Sequence, residues 1–203
     1  QRFIGNMVQD CERLTRLISN VLDLEKFESG SQKLSLNRVD LGQLIEDTVT
    51  QFQALAAKKG HSLRCEISAP LTATYADEDR IAQVLHNLIG NALKHARHDN
   101  GAVWITAYRL DQDLKVNIHD NGNGIPLSDR ELVFDKFYQV RNQTRRKPSG
   151  SGLGLAISKN IIQMHKGKIW IEDNPGGGAK ISFTLPLYLQ EAQMKNSKPH
   201  IDA

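Results

Sequence analysis

Asn87-Leu-Ile-Gly-Asn91-Ala-Leu-Lys94 sets two amides and an ammonium along one edge of a helix, because positions i, i+4 and i+7 stack on a single face. The flanking residues Ile81, Val84, Leu85, Leu88 and Ala92 recur at helical spacing, so the stretch from about Glu78 to Ala96 is expected to be a helix with a buried face beside that polar edge. An amide oxygen is a hard, neutral ligand suited to Mg2+, and Lys94 reaches phosphate. Further on, Asp120-Asn-Gly122-Asn-Gly124-Ile125 offers a carboxylate followed at once by glycines, where backbone can approach a flat ligand without a Cβ in the way. Asp120 can accept from an exocyclic amine. That selects adenine over guanine, since a carbonyl set against the carboxylate leaves polar groups unmatched at a cost of roughly 1–3 kcal/mol. Last, Gly150-Ser151-Gly152-Leu153-Gly154-Leu155 runs into an apolar-periodic stretch ending at Met164, so glycine-exposed N–H groups open a helix whose dipole favours an anion. Singly these signals are weak: a Gly-x-Gly is commonly a turn, and asparagines decorate many solvated helix faces. In this order they describe a pocket for ATP.

The three segments resemble the N box and the two glycine boxes of sensor histidine kinases, within the ATPase superfamily that also holds gyrase and mismatch-repair ATPases. Phe134-Asp-Lys-Phe137-Tyr138 is similar to the phenylalanine box between the glycine boxes. Asn174-Pro-Gly176-Gly-Gly178-Ala-Lys-Ile-Ser-Phe183-Thr184-Leu-Pro186 is similar to the closing glycine turn and last strand, and the resemblance covers about residues 1 to 187. It implies ATP or ADP bound with Mg2+, with Asn91 and Asn87 holding the metal and Asn87, Asn91 and Lys94 carrying the catalysis. It further implies nucleotide contacts from His95, Asp120, Gly122, Gly124, Ile125, Phe137 and Thr184, and from Gly150, Ser151, Gly152, Leu153, Gly154 and Leu155. Between Tyr138 and Gly150 a polar, basic, aperiodic segment matches the family's ATP lid, from which Arg145 or Arg146 is expected to meet the γ-phosphate. His119, directly before Asp120, is assigned to the adenine pocket.

Composition agrees. At 203 residues, 39% apolar and 24% charged, the chain can bury one core of ordinary size and an appended element. A net charge of +3, with basic residues scattered apart from Arg145-Arg146-Lys147, gives no footprint for nucleic acid. Cys11 and Cys65 show no metal spacing, which points to a reduced, cytosolic chain. No apolar run reaches the about 18 residues that a membrane span needs. The resemblance implies a cytoplasmic segment of a parent anchored in the inner membrane. The chain opens at Gln1 inside a helical pattern, so a piece of a longer protein is expected.

The expected fold class is α+β: a two-layer α/β sandwich in which helices cover one face of a mixed, mostly antiparallel sheet, preceded by a long bundle-forming helix. Ile4, Met7, Cys11, Leu14, Ile18 and Val21 recur three and four apart, thickened by Leu17 and Leu24, and make a bundle seam. Helix breakers at Glu28-Ser-Gly30-Ser31 end it. The resemblance makes residues 1–30 the second helix of a dimerisation and phosphotransfer hairpin, through which the parent forms a homodimer. Residues 31–187 become the ATP-binding catalytic domain, and 188–203 a polar tail or linker. Inside the domain, Lys33–Asn37 is expected as a strand, and Asp40 as the N-cap of a helix that Gly60 closes. Strands follow at Ser62–Ile67 and Thr72–Tyr75, then the helix bearing Asn87, then hairpins of Val103–Leu110 with Leu114–His119 and of Lys168–Asp173 with Lys180–Leu187.

Phosphoryl transfer asks for positioning and charge neutralisation more than covalent help. In the kinases this chain resembles, the γ-phosphate goes to a histidine and then to an aspartate of a response-regulator receiver domain. The acceptor should be followed by an acidic residue and Arg-x-Pro, and none of the seven histidines, at 61, 86, 95, 98, 119, 165 and 200, carries that pattern. The acceptor helix is therefore expected upstream, and the chain is expected to bind ATP without phosphorylating itself on histidine. Ser197-Lys-Pro-His-Ile201 resembles the start of a receiver domain fused downstream, as in a hybrid kinase. Two other classes compete. A conformational ATPase resembling gyrase would carry a glutamate in the N box to activate water, and His86-Asn87-Leu-Ile-Gly-Asn91 has none. An inert dimerisation module would have no use for intact boxes.

Overall fold

Asp40 turns an extended segment into a helix by accepting the Gln43 N–H on its side chain at 3.1 Å, and Gly60, at φ +67°, closes the far end. In the computed structural model the described residues are 7, 14, 15, 17–25, 29, 32–68, 71, 73–140, 151–174 and 176–187. The helix so bounded, α1 (Leu41–Lys58), buries Leu41, Ile45, Thr48, Val49 and Ala56 along one face. In α2 (Glu78–His95), Asp77 caps the Arg80 N–H at 3.2 Å, and Glu78 and Asp79 at the start, with Lys94 and His95 at the end, complement the helix dipole. The expected face of Ile81, Val84, Leu85, Leu88 and Ala92 is buried, joined by Ile89 and Leu93. α3 (Gly154–Met164) buries Ala156, Ile157, Ser158, Ile161 and Ile162.

The main sheet runs in the order β2 (Ser62–Ile67), β4 (Ala102–Leu110), β5 (Asp113–Asp120), β7 (Lys180–Pro186) and β6 (Ile169–Glu172). β2 and β4 are parallel, their crossover containing α2, and the other pairings are antiparallel, so the sheet is mixed and mostly antiparallel as expected. Alternation along the strands sends Val103, Ile105 and Ala107, then Leu114, Val116 and Ile118, then Ile181, Phe183 and Leu185 into the core with the helices. The opposite face carries a polar ladder, in which Asn117 donates to Thr106 Oγ1 and accepts from Ser182 Oγ, both at 2.8 Å. Beside it Glu172 accepts from Lys115 at 2.5 Å, Lys180 at 2.6 Å and Trp170 Nε1 at 2.9 Å. Burial would raise the Glu172 carboxyl, but the two lysines outweigh it and hold it at about 2.

A separate two-stranded sheet pairs β1 (Asn37–Val39) with β3 (Thr74–Ala76). The strand expected over Lys33–Asn37 thus begins where that expectation ends. The Ser35 N–H donates to Asp77 Oδ2 at 2.9 Å, so the segment before Asn37 bonds to the cap of α2 instead of a ladder. The strand expected at Thr72–Tyr75 likewise sits at Thr74–Ala76, where its register with β1 is set.

Toward the N-terminus, residues 17–25 are helical. Leu24 is buried, and Asp23 accepts from Arg80 Nη1 at 3.3 Å and Gln83 Nε2 at 3.0 Å, which fastens this helical segment to the first turns of α2. Met7, Leu14, Ile18 and Val21 are exposed, Ile18 at 61%, while Ile4 and Cys11 of the same stripe lie outside the described residues. No helix among the described residues is long and apolar enough to cross a membrane.

Candidate functional site

Two glycines mark where other segments press on α2. A Cβ on Gly154 would overlap the side-chain amide of Asn87, so the first turn of α3 lies against Asn87. A Cβ on Gly122 would overlap the carbonyl oxygen of His95, so the loop after β5 lies against the C-terminal end of the helix. His95 lies eight positions beyond Asn87, about 12 Å along α2. The three segments singled out in the sequence therefore converge on one helix, the second glycine box at its middle and the first at its C-terminal end.

At the Asn87 end, Nδ2 donates to Ser158 Oγ on α3 at 2.8 Å, and Oδ1 is turned toward Asn91 Nδ2 at 3.4 Å. Ser158 is 1% exposed, so this bond fixes which way the amide points. Among the described residues the Oδ1 of Asn91 accepts no hydrogen bond. Two amide oxygens on one edge of a helix form a donor set that suits Mg2+, which keeps part of its water shell. Among the described residues no cluster of three or more His, Cys, Asp or Glu is placed to hold a metal ion. Lys94 follows half-buried in the last turn of α2, with His95 exposed beside it.

At the other end β5 delivers Asp120, 5% exposed. Its Oδ1 accepts the N–H groups of Gly122 at 2.8 Å and Ala179 at 3.3 Å, and its own N–H donates to the Ala179 carbonyl at 2.9 Å. Oδ2 accepts no hydrogen bond among the described residues. Burial pushes the Asp120 carboxyl up, and the two backbone N–H groups pull it part of the way back. One oxygen is pinned and the other is left to accept. Asn121 braces the same corner, accepting from the Ala102 N–H at 3.0 Å and the Arg97 N–H at 3.3 Å and donating to the Asn100 carbonyl at 2.8 Å. Ile125 is half-buried after Gly124, whose φ of +74° a side chain would strain.

In the second glycine box, the Gly152 carbonyl accepts the Phe137 N–H at 2.9 Å, and the Leu153 N–H donates to Ser151 Oγ at 3.3 Å. Leu153 is buried and Leu155 half-buried, and Phe137 is 66% exposed. Arg145, Arg146 and Gly150, with the rest of the expected lid, lie outside the described residues.

Two residues are not brought to this group. Thr184 lies in β7 five residues beyond Ala179, about 16 Å along a strand, where its hydroxyl accepts the Lys168 N–H at 3.2 Å. Ala179 occupies the place beside Asp120 instead, and because it works through its backbone no residue type marks it. His119 alternates with Asp120 and so faces the other side of the sheet, near Lys180, Glu172 and Lys115, with burial and then Lys180 lowering its imidazole. Ser158 reaches the site with no motif to mark it, and Asn174, which opens the closing glycine turn, has no role there that its residue type announces. The spacing of Ser158, i+4 from Gly154, is the signal that finds it.

Residues 76–189 match the family described as histidine kinase-, DNA gyrase B- and HSP90-like ATPase. Sensor protein kinase WalK of Staphylococcus saprophyticus is 33% identical over 191 residues, which take in 94% of this chain and 31% of that protein. The chain thus spans about a third of the length of the curated relative it matches. Full-length ShkA in complex with AMPPNP superposes with a TM-score of 0.80 at 28% identity, over 91% of this chain and 38% of that one. The catalytic domain of histidine kinase ThkA superposes at 0.66 and 30% identity, over 76% of this chain and 97% of that one. ThkA in complex with response regulator protein TrrA superposes at 0.73 and 26% identity, over 93% of this chain and 51% of that one.

Proposed function

Because the chain belongs to the histidine kinase-, DNA gyrase B- and HSP90-like ATPase family, as a histidine kinase catalytic domain, we propose that it binds ATP with Mg2+ and presents the γ-phosphate to a histidine on a helix of its parent protein. The observation that carries the adenine assignment is Asp120, buried, with Oδ1 held by two backbone N–H groups and Oδ2 left to accept. The 6-amino group donates to that oxygen, and the ring lies along Gly122 and Gly124, with Ile125 and Phe137 as apolar neighbours.

From there the triphosphate follows α2 toward Asn87. Lys94 and His95 meet phosphate oxygens, and the N–H groups of Gly152 to Leu155 face them at the start of α3, where the helix dipole adds attraction. Gly150, Ser151, Arg145 and Arg146 complete the enclosure from the lid side, one arginine at the γ-phosphate. Asn91, with Asn87 held in orientation by Ser158, would hold Mg2+ through amide oxygen. When bound, the metal neutralises charge on the triphosphate. Each of these side chains binds, orients or neutralises, and none is asked to form a covalent bond.

Residues 1–30 act as the second helix of the dimerisation and phosphotransfer hairpin, 31–187 as the catalytic domain and 188–203 as tail or linker. The exposed stripe of Met7, Leu14, Ile18 and Val21 supports a homodimer through that helix. A receiver domain as partner is supported by the complex of ThkA with TrrA. The parent places this segment in the cytoplasm below an inner-membrane anchor.

Calorimetric titration with ATP, with and without Mg2+, tests the reading. Binding is expected to tighten with the metal, and Asn91→Ala is expected to remove that dependence while sparing ADP affinity. No binding at millimolar ATP, or wild-type binding indifferent to Mg2+, overturns it. With γ-labelled ATP the isolated chain is expected to carry no acid-labile phosphate.

A further inference from the structure

Asn174 stands in the turn between β6 and β7, and its amide nitrogen donates to the Gly177 carbonyl at 2.5 Å and to the Asp120 carbonyl at 3.2 Å. Both amide hydrogens are therefore used, one closing the turn on itself and the other tying it to the end of β5. Nearby, Arg130 pairs with Asp173 at 2.7 Å, so the loop after Asp120 is bound to the same turn. The approach is close because Gly178, at φ +85°, has no side chain: a Cβ there would overlap the Asp120 carbonyl. One residue on, Ala179 gives its N–H to Asp120 Oδ1 and takes the Asp120 N–H on its carbonyl. The turn thus holds Asp120 by its N–H, its carbonyl and one carboxylate oxygen. Asn174 is the side chain through which the described bonds of the turn reach Asp120, the others being backbone.

We infer that Asn174 is a positioning residue for purine recognition, holding the Asp120 carboxylate so that Oδ2 meets a donor at the purine 6-position. The inference rests on the adenine reading of Asp120 given above. Asn174 does not touch the base. Its removal frees the turn from the Asp120 carbonyl, loosens the Ala179 N–H from Oδ1 and lets the carboxylate rotate. A carboxylate free to rotate distinguishes less sharply between a 6-amino group, which donates, and a 6-oxo group, which only accepts.

The measurement is the ratio of affinities for ATP and inosine triphosphate, which carries oxygen in place of the 6-amino group, by calorimetry on the whole chain. Asn174→Ala removes both donors, and Asn174→Asp keeps the shape while replacing the donors with an acceptor. Both are expected to weaken ATP about fivefold while changing inosine triphosphate less than about twofold, so that the ratio falls toward one. Thermal melting of each variant shows that it is folded. A role confined to stabilising the turn would weaken the two nucleotides equally, and that outcome, or an unchanged ratio in both variants, overturns the inference. Asp120→Asn separates the two levels. If it leaves the ratio at the wild-type value, the adenine reading fails; if it collapses the ratio and the Asn174 variants do not, the positioning role fails.

Discussion

Gly154 is constrained by contact: a Cβ there would overlap the Asn87 amide that Ser158 orients at 2.8 Å. Alanine is a better helix former than glycine, so Gly154→Ala should not weaken α3 itself. It is expected to displace Asn87 and to lower Mg2+-dependent ATP affinity about tenfold, with the melting temperature within a few degrees of wild type. Titrations at stepped Mg2+ concentrations check this, and full affinity in the variant would remove the triphosphate from this end of α2. Asn87, Asn91, Asp120, Gly122 and Gly154 are legible in the sequence because each residue type states its chemistry: amide oxygen, carboxylate, absence of a Cβ. Ala179 is illegible for the opposite reason, since any residue but proline could offer its N–H. Thr184 misleads because its hydroxyl suits a nucleotide while five strand residues carry it away from Asp120. His119 misleads because adjacency along a strand means opposite faces.

Elements with local signals are likewise the ones the sequence discloses. α1 has its Asp40 cap and its Gly60 stop, and α2 has its buried stripe, whereas β1 and β3 are three residues each and take their positions from one another across a long stretch of chain. How α2 begins also depends on a distant group. Asp77, besides capping Arg80, donates its N–H to His165 Nε2 at 3.0 Å, while His165 Nδ1 donates to the Ile161 carbonyl at 2.8 Å. The end of α3 and the start of α2 therefore share one neutral imidazole, and burial lowers its pKa despite the opposing pull of the Ile161 carbonyl and Asp77. With the folded value below the ordinary 6.5, the unfolded chain takes up the proton first, so stability present above pH 6.5 is lost progressively as pH falls below it. His61 and His119, also lowered, add to the same slope, which makes the difference from a variant the useful quantity. His165→Ala is expected to melt lower than wild type at pH 7.5, with that gap narrowing toward pH 5; a constant gap would mean that His165 does not titrate with folding.

Across the whole molecule, burial is lopsided. The sandwich encloses most of its apolar residues, with Leu127 and Phe137 the most exposed of the rest, while the N-terminal stripe presents Met7, Leu14, Ile18 and Val21 together to solvent. Burying one such side chain against a partner helix contributes about 1.5–3 kcal/mol. The chain is therefore expected to self-associate in sedimentation equilibrium, and Ile18→Glu to weaken that association at least tenfold while ATP affinity stays unchanged. A chain that remains monomeric at high micromolar concentration would show that this stripe alone does not hold a dimer. The same N-terminal segment grips α2 through Asp23, which holds Arg80 and Gln83. Arg80, Asn87 and His95 ride on one uninterrupted rod. Asp120 stands on β5 instead, so under the proposed reading a push at Asp23 would reach the amide grip of Asn87 and Asn91 directly and the carboxylate grip only through the loop that Gly122 packs on His95.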